Sequence, residues 1–181
     1  RKAHTIDGSN PCLVRDQEKC ILCGRCIRVC RDVQGMNVYS FANRGFDTIV
    51  STAFEQDLGN VACSYCGQCA SVCPTGAIVE RDDTEKVWDA INDPDKIVIV
   101  QTAPSVRVAI GEELGMEPGS IVTGKMVAAL RHLGFDKVFD TDFSADLTIM
   151  EEGYELLDRI KNGGTLPMIT SCSPGWVKFC E

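Results

Sequence analysis

Eight of the eleven cysteines in this 181-residue chain fall into two short runs. The first run is C-I-L-C-G-R-C-I-R-V-C, residues 20–30, and the second is C-S-Y-C-G-Q-C-A-S-V-C-P, residues 63–74. Two residues between successive cysteines let one tight loop bring three thiolates to the corners of an iron-sulfur cubane. The spacing therefore predicts two 4Fe-4S clusters that pass electrons. Their predicted ligands are Cys20, Cys23, Cys26, Cys30, Cys63, Cys66, Cys69 and Cys73.

The fourth cysteine of each run is expected to serve the cluster of the other run, as in two-cluster ferredoxins. Cys73 is then predicted to complete the cluster held by the first three cysteines of the first run. Cys30 is predicted to complete the cluster of the second run in the same way. Such an exchange would interlock the two halves of the domain.

Zinc sites and disulfides are the competing uses of so many cysteines. A structural zinc site usually stops at four ligands in two pairs, which two runs of four do not match. Gly24 and Gly67 occupy the same place in each run, where the backbone must pass close to the cluster. Cys12 and Cys180 lie outside the runs and are predicted to be small apolar side chains or free thiols.

Charge and composition narrow the class of partner. A net charge of −8 makes nucleic acid an unfavourable partner, because a nucleic-acid site requires a basic patch. No apolar run approaches the ~20 residues that a membrane-spanning helix needs, and no secretory signal follows Arg1. The chain begins without methionine, and a helix is predicted to start near Trp176, so we expect a piece of a longer, cytoplasmic protein.

Two domains are predicted, residues 1–86 and residues 87–181. In the first, the segments N-V-Y-S-F and D-T-I-V-S alternate apolar and polar residues and predict a hairpin that covers the cluster edges. Tyr39 and Phe41 are interpreted as ordinary packing residues of that hairpin. The expected class is an α+β ferredoxin-like domain followed by an α/β domain with a short parallel sheet.

The second domain is predicted to alternate strands and helices in the order βαβαβ, which implies a parallel sheet. Its strands are expected at residues 97–101, buried on both faces, at residues 137–140 and at residues 166–170. Its helices are expected at residues 106–114, at residues 123–133 closed by Gly134, and within residues 147–161. Sites are expected in the loops after the strands, at residues 102–105, 140–144 and 171–176.

Three strings of this second domain resemble the catalytic subunit of FeFe-hydrogenases. They are T-A-P-S-V-R-V-A-I-G-E-E, D-T-D-F-S-A-D-L-T-I-M-E-E and L-P-M-I-T-S-C-S-P-G-W-V, and the resemblance runs from about Ile6 to the end of the chain. It implies that the two clusters lead to an H-cluster, a cubane joined to a diiron site, which interconverts dihydrogen with protons and electrons. It also implies that Pro104 and Ser105 contact the diiron site.

The resemblance implies a proton path through Glu152, Glu155 and Cys172, while Glu151 is expected at the surface. The chain departs from the family where the motif T-S-C-C-P is replaced by T-S-C-S-P, so that Ser173 follows Cys172. Either Cys172 is the proton relay and Ser173 occupies a cubane-ligand position, or Cys172 is the ligand itself. The residue pattern leaves both interpretations open.

The remaining H-cluster ligands of the family lie in motifs that these residues do not contain. We therefore expect the parent protein to be an iron hydrogenase and the 181 residues alone to be inactive. Expected partners are ferredoxin or flavin- and iron-sulfur-containing subunits that oxidise NAD(P)H. The alternatives are a ferredoxin-like electron-transfer subunit of a larger redox complex and a non-catalytic relative that senses hydrogen or assembles clusters.

Overall fold

The computed structural model describes residue 4 and residues 6–180. Arg1, Lys2 and Glu181, which entered the expectation of a longer protein, lie outside the described residues. The chain divides into two compact units. The first contains the residues up to Asp82 together with those from Thr170 onward, and the second is Asp83–Ile169. The division into domains at residue 86 stays a proposal.

The described part of the first unit contains two small antiparallel sheets and three short α-helices, of which two belong to the cysteine runs and the third is the last described helix. Strand β1 (Leu13–Arg15) pairs with β4 (Ile78–Glu80), and β2 (Ser40–Ala42) pairs with β3 (Ile49–Ser51). The β2–β3 pair is the hairpin that the alternating segments predict. Helix α1 (Arg25–Arg28) continues into a π-helical turn at Val29–Val33, and α2 is Gln68–Ser71.

Each cysteine run has the same local design, a loop that ends at a glycine and then a single helical turn. Gly24 and Gly67 precede α1 and α2 with φ of 68° and 73°, a left-handed conformation that favours glycine. A Cβ at Gly24 would also lie 3.2 Å from the ring of Phe41. The hairpin therefore packs directly on the first run.

The hydrophobic core of this unit is built around the cysteines themselves. Leu13, Tyr39 and Leu58 are at most 2% exposed, and they form one cluster with several buried cysteines. Cys30, Cys63 and Cys69 are buried, whereas Cys23 and Cys66 are exposed. Few other large side chains are buried among the described residues of this unit. Its stability is therefore expected to depend on the metal centres that the cysteines are predicted to hold.

The second unit confirms the predicted order of its first elements. After α3 (Thr84–Ile91), strand β5 (Ile99–Thr102), helix α4 (Val106–Glu113), helix α5 (Thr123–Leu133) and strand β6 (Lys137–Asp140) follow in turn. Strands β5 and β6 pair in parallel. Gly134 ends α5 with φ of 110°, as its position after the helix predicts.

Ion pairs connect α4 to the carboxyl end of β6 and to the segment that follows it. Arg107 donates to Asp140 over 2.6 Å and to Asp142 over 3.0 Å. Asp140 also accepts from the backbone N–H of Asp142, as the N-cap of α6 (Thr141–Asn162). The hydrogen bond from Arg107 and that from the Asp142 amide lower the pKa of Asp140. The loop expected at residues 140–144 is therefore the first turn of a helix.

Three other predictions for this unit were wrong. Residues 166–170 form no strand, and Pro167 within them lacks the N–H that a sheet ladder requires. The strand expected at residues 97–101 is not buried on both faces, because Ile97 is 75% and Ile99 55% exposed beside a single partner strand. Helix α6 starts at Thr141, six residues earlier than expected, since the Asp140 cap begins it.

The last helix, α7 (Pro174–Cys180), belongs to the first unit and confirms the helix predicted near Trp176. Its approach is close, because a Cβ on Gly175 would lie 2.7 Å from the carbonyl oxygen of Ser64 in the second cysteine run. None of the helices that the structure describes combines the length and apolar composition needed to cross a bilayer.

Candidate metal centres

The structure brings the eight cysteines of the two runs together as two sets of four. One cavity is lined by three cysteines of the first run and the last cysteine of the second, namely Cys20, Cys23, Cys26 and Cys73. The other is lined by Cys30, Cys63, Cys66 and Cys69. This is the crossed arrangement that the sequence predicts, although cluster binding by these residues is itself a proposal.

The chemistry of the donor sets fits a cluster better than a single ion. Within the described residues, no group of three or more histidine, cysteine or acidic side chains is compact enough to hold one metal ion. Thiolates around a cubane bind four separate irons at its corners, so they lie further apart than the ligands of one zinc ion. Four soft thiolates around each cavity are the ligands that iron-sulfur clusters take.

The electrostatics of the thiols differ between the cavities. Burial raises the pKa of Cys26 and that of Cys69 to about 11, with neighbouring cysteine charges adding to the effect, and it also raises that of Cys63. Burial acts in the same direction at Cys73, but hydrogen bonds from Thr75 and nearby backbone amides outweigh it and lower the pKa. Cys26 and Cys69 therefore keep their protons near neutral pH unless a metal replaces them.

The second cavity has hydrogen-bond donors from residues outside the cysteine runs. The backbone N–H of Val38 donates to Cys30 Sγ over 3.3 Å. Asn10 Nδ2 and Tyr39 Oη are buried without a hydrogen-bond partner, and against the effect of burial these two side chains act to lower the pKa of Cys63 and that of Cys69 respectively. Buried donors without a partner fit a site in which thiolates carry the negative charge of a cluster.

Asn10 was not predicted as a site residue from the sequence, and Tyr39 was predicted only as a packing residue. Neither residue belongs to a spaced motif, and Asn10 precedes the first cysteine run by ten residues. The buried guanidinium of Arg15, 5% exposed, was missed as well; it lies over the Tyr39 ring, 5.5 Å from the centroid, and lines the first cavity. A buried arginine beside so many thiolates supplies compensating positive charge.

The first loop predicted to contact the diiron site lies at the carboxyl end of β5. Pro104 and Ser105 are exposed there, and Ser105 caps α4 through its backbone carbonyl, which accepts from the N–H groups of Val108 and Ala109. The Ser105 side chain makes no capping hydrogen bond. Its hydroxyl is thus not committed to the helix that it precedes.

The second predicted loop, with Cys172 and Ser173, belongs to the other compact unit. Both residues are exposed. Ser173 Oγ accepts from the backbone N–H of Trp176 over 3.4 Å, and its carbonyl accepts from that N–H and the next. Ser173 is therefore the N-cap of α7, with Pro174 at the first helical position.

Glu152 and Glu155 both lie on α6, as the predicted proton path requires. Glu155 is 52% exposed and pairs with Arg159, whose Nε donates to it over 3.0 Å. Glu152 is half-buried, and Glu151 is exposed, which confirms its predicted surface position. The relay role of the first two stays a proposal.

A ferredoxin-like fold with two crossed sets of four cysteines, followed by an α/β unit, defines a two-cluster iron-sulfur protein with an appended domain. Residues 16–77 match the family described as 4Fe-4S dicluster domain, and residues 96–181 match the family described as iron only hydrogenase large subunit, C-terminal domain. The chain therefore combines a 4Fe-4S dicluster domain with part of the C-terminal domain of an iron-only hydrogenase large subunit.

Two curated proteins and one solved structure are similar to this chain. The NADP-reducing hydrogenase subunit HndD of Solidesulfovibrio fructosivorans is 58% identical over 93% of this chain and 30% of its own length. Iron hydrogenase 1 of Clostridium pasteurianum is 46% identical over 99% of this chain and 31% of its own length. A solved apo FeFe-hydrogenase from Chlamydomonas reinhardtii is 47% identical over 54% of this chain and 26% of its own, with a TM-score of 0.46. The chain thus spans about 30% of the length of these two curated relatives.

Proposed function

We propose that this chain carries electrons through two 4Fe-4S clusters toward the H-cluster of an FeFe-hydrogenase, which interconverts dihydrogen with two protons and two electrons. The observation that supports the electron path most strongly is the sorting of eight cysteines into two crossed sets, each around its own cavity. The family match of residues 96–181 supports the destination.

The residues of the chain have distinct parts in this function. Cys20, Cys23, Cys26 and Cys73 would hold the first cluster, and Cys30, Cys63, Cys66 and Cys69 the second. A bound cubane supplies a one-electron redox centre. Leu13, Tyr39 and Met36 enclose the second cavity and exclude water from it. The first cavity keeps an exposed edge at Cys23 and Ile21, which is 62% exposed.

The hydrogen chemistry belongs to the longer protein. There Pro104 and Ser105 would contact the diiron site, and Cys172 with Ser173 would lie beside the H-cluster cubane. Glu152, Glu155 and Cys172 would move protons, since carboxylates and a thiol can gain and lose a proton near working pH. These assignments rest on the family motifs and on the exposed, uncommitted hydroxyl of Ser105.

The name of one relative supports the proposed partners. The relative from Solidesulfovibrio fructosivorans is named as an NADP-reducing hydrogenase subunit. Electron exchange with NADP requires a hydride-to-electron converter, which flavin supplies. We therefore propose that the parent protein works with flavin- and iron-sulfur-containing subunits that oxidise NAD(P)H, or with ferredoxin. The cytoplasm is the compartment that we propose for this exchange.

The 181 residues alone are expected to bind iron and sulfide but to show no hydrogen turnover. Single thiolates at the Cys172 loop cannot hold a four-iron cubane, and further ligands must come from beyond this sequence. The test measures hydrogen evolution from reduced methyl viologen by this chain and by the full-length protein, both matured in the same way.

Activity in the full-length protein only is the expected result. Turnover by the 181-residue chain would contradict the assignment of the hydrogen site to the longer protein. A full-length protein that holds its clusters but lacks turnover and lacks infrared bands of CO and CN ligands would favour the non-catalytic alternative.

A further inference from the structure

Two polar side chains, one lining the second cavity and one bonded to a residue that lines it, are almost completely buried. Asn10 is 0% and Tyr39 2% exposed. Their donor atoms, Nδ2 and Oη, lack a conventional hydrogen-bond partner. Buried donors are almost always satisfied in folded proteins, so each of these two indicates an acceptor at the cavity.

The surroundings of Asn10 fix the direction of its amide. Oδ1 accepts from the backbone N–H groups of Cys12 and Leu13 over 2.9 and 3.0 Å. With the oxygen held by that turn, the Nδ2 end of the planar amide is turned away from it. Leu13, whose amide Asn10 binds, lines the second cavity, and the unpartnered Nδ2 of Asn10 is therefore held close to that cavity. Burial raises the pKa of Cys63, and the Asn10 side chain acts in the opposite direction.

Tyr39 is held in a comparable way. Its ring packs in the core with Leu13 and Cys69, and the Arg15 guanidinium lies over one face, 5.5 Å from the centroid. A cation over the ring withdraws electron density and makes the hydroxyl a stronger donor. Tyr39 and Cys69 line the same cavity, and the Tyr39 hydroxyl acts against the burial that raises the pKa of Cys69.

We propose that Asn10 and Tyr39 donate hydrogen bonds to the sulfurs of Cys63 and Cys69 and thereby raise the reduction potential of the second cluster. The proposal rests on the proposed function, because it takes these cysteines as cluster ligands. Reduction adds negative charge to the cluster, and donors to its sulfurs stabilise that charge.

The need for such donors follows from burial. Three of the four cysteines in the second cavity are buried, whereas the first cavity has one exposed and three half-buried cysteines. Burial disfavours the more negatively charged, reduced state, so it lowers the potential of the second cluster relative to a solvated one. Asn10 and Tyr39 offset that effect and keep the buried cluster able to accept an electron from the first.

The test is a redox titration of the full-length protein, followed by EPR of the reduced cubanes, on the unmodified protein and on Tyr39→Phe. This substitution removes only the hydroxyl. We expect the second cluster to become harder to reduce by up to about tenfold in its reduction equilibrium, which is about 59 mV for one electron. The first cluster is expected to keep its potential.

Two further variants make the result specific. Thr75→Val removes a hydroxyl that lies 3.9 Å from Cys73 Sγ, so it is expected to shift the first cluster and leave the second. Asn10→Asp retains an oxygen for the Cys12 and Leu13 amides and removes the NH₂ donor, so it is expected to shift the second cluster as Tyr39→Phe does.

Unchanged potentials in Tyr39→Phe with full iron content would overturn the inference, as would an equal shift of both clusters. Absence of two cubane signals in the unmodified protein would instead overturn the proposed function. The two failures are therefore distinguishable in one set of titrations.

Discussion

Replacement of Cys73 by alanine is expected to remove the cluster of the first cysteine run and to leave that of the second run in place. Cys73 comes from the second run, but it lines the first cavity with Cys20, Cys23 and Cys26. A cubane that loses one of four thiolates loses its anchor and is labile. Iron analysis should show a fall of about half, from about eight to about four irons per chain.

The reciprocal variant, Cys30→Ala, is expected to remove the cluster of the second run, because Cys30 lines the other cavity. EPR of the reduced protein should show that the cubane left in Cys30→Ala differs from the cubane left in Cys73→Ala. Cys180→Ala is the matched control, since Cys180 is exposed and lines neither cavity. The crossed assignment is wrong if Cys73→Ala instead removes the cluster of Cys63, Cys66 and Cys69.

The second large effect is expected at Cys172 in the full-length protein. Cys172→Ala should lower hydrogen turnover about 10²–10⁴-fold, the range over which a positioned proton-transfer group contributes. Loss of a cubane ligand at this position would lower turnover at least as much. The iron content of the variant separates the two roles, because only loss of a ligand removes iron.

The neighbouring variant Ser173→Ala tests the other interpretation of this loop. Ser173 caps α7 through Trp176, so its loss should destabilise the helix by about 0.5–2 kcal/mol, and the iron content should stay complete if Cys172 is the ligand. Guanidinium unfolding curves measure the first quantity and iron analysis the second. Full activity in Cys172→Ala would remove this residue from the hydrogen site, and loss of iron in Ser173→Ala would make the serine a ligand.

The sequence predicted most accurately those features that depend on local spacing. The cysteine runs predict which cysteines lie together, and the structure places the same two sets of four around two cavities; their role as cluster ligands stays a proposal. Helix α5 and strand β6 were predicted to the residue, since Gly134 separates an amphipathic helix from a short segment with two central apolar residues. The hairpin of β2 and β3 was predicted because apolar and polar residues alternate in both of its segments.

Features that depend on distant contacts could not be predicted in this way. The burial of β5 was overestimated because an apolar strand does not reveal how many partner strands accompany it, and β5 has one. Residues 166–170 were predicted as a strand, although Pro167 has no N–H to donate to a sheet. Asn10 affects the pKa of Cys63, which lies 53 positions later in the chain, and no periodicity of the sequence connects such a pair.

The proposed function requires this chain to hold two 4Fe-4S clusters. Iron and sulfide analysis of the chain, combined with Mössbauer spectroscopy, measures the number and type of its clusters. We expect about eight irons and about eight sulfides per chain, all in cubane clusters. A chain that is folded and fully loaded with about four irons, or with zinc in place of iron, would contradict it.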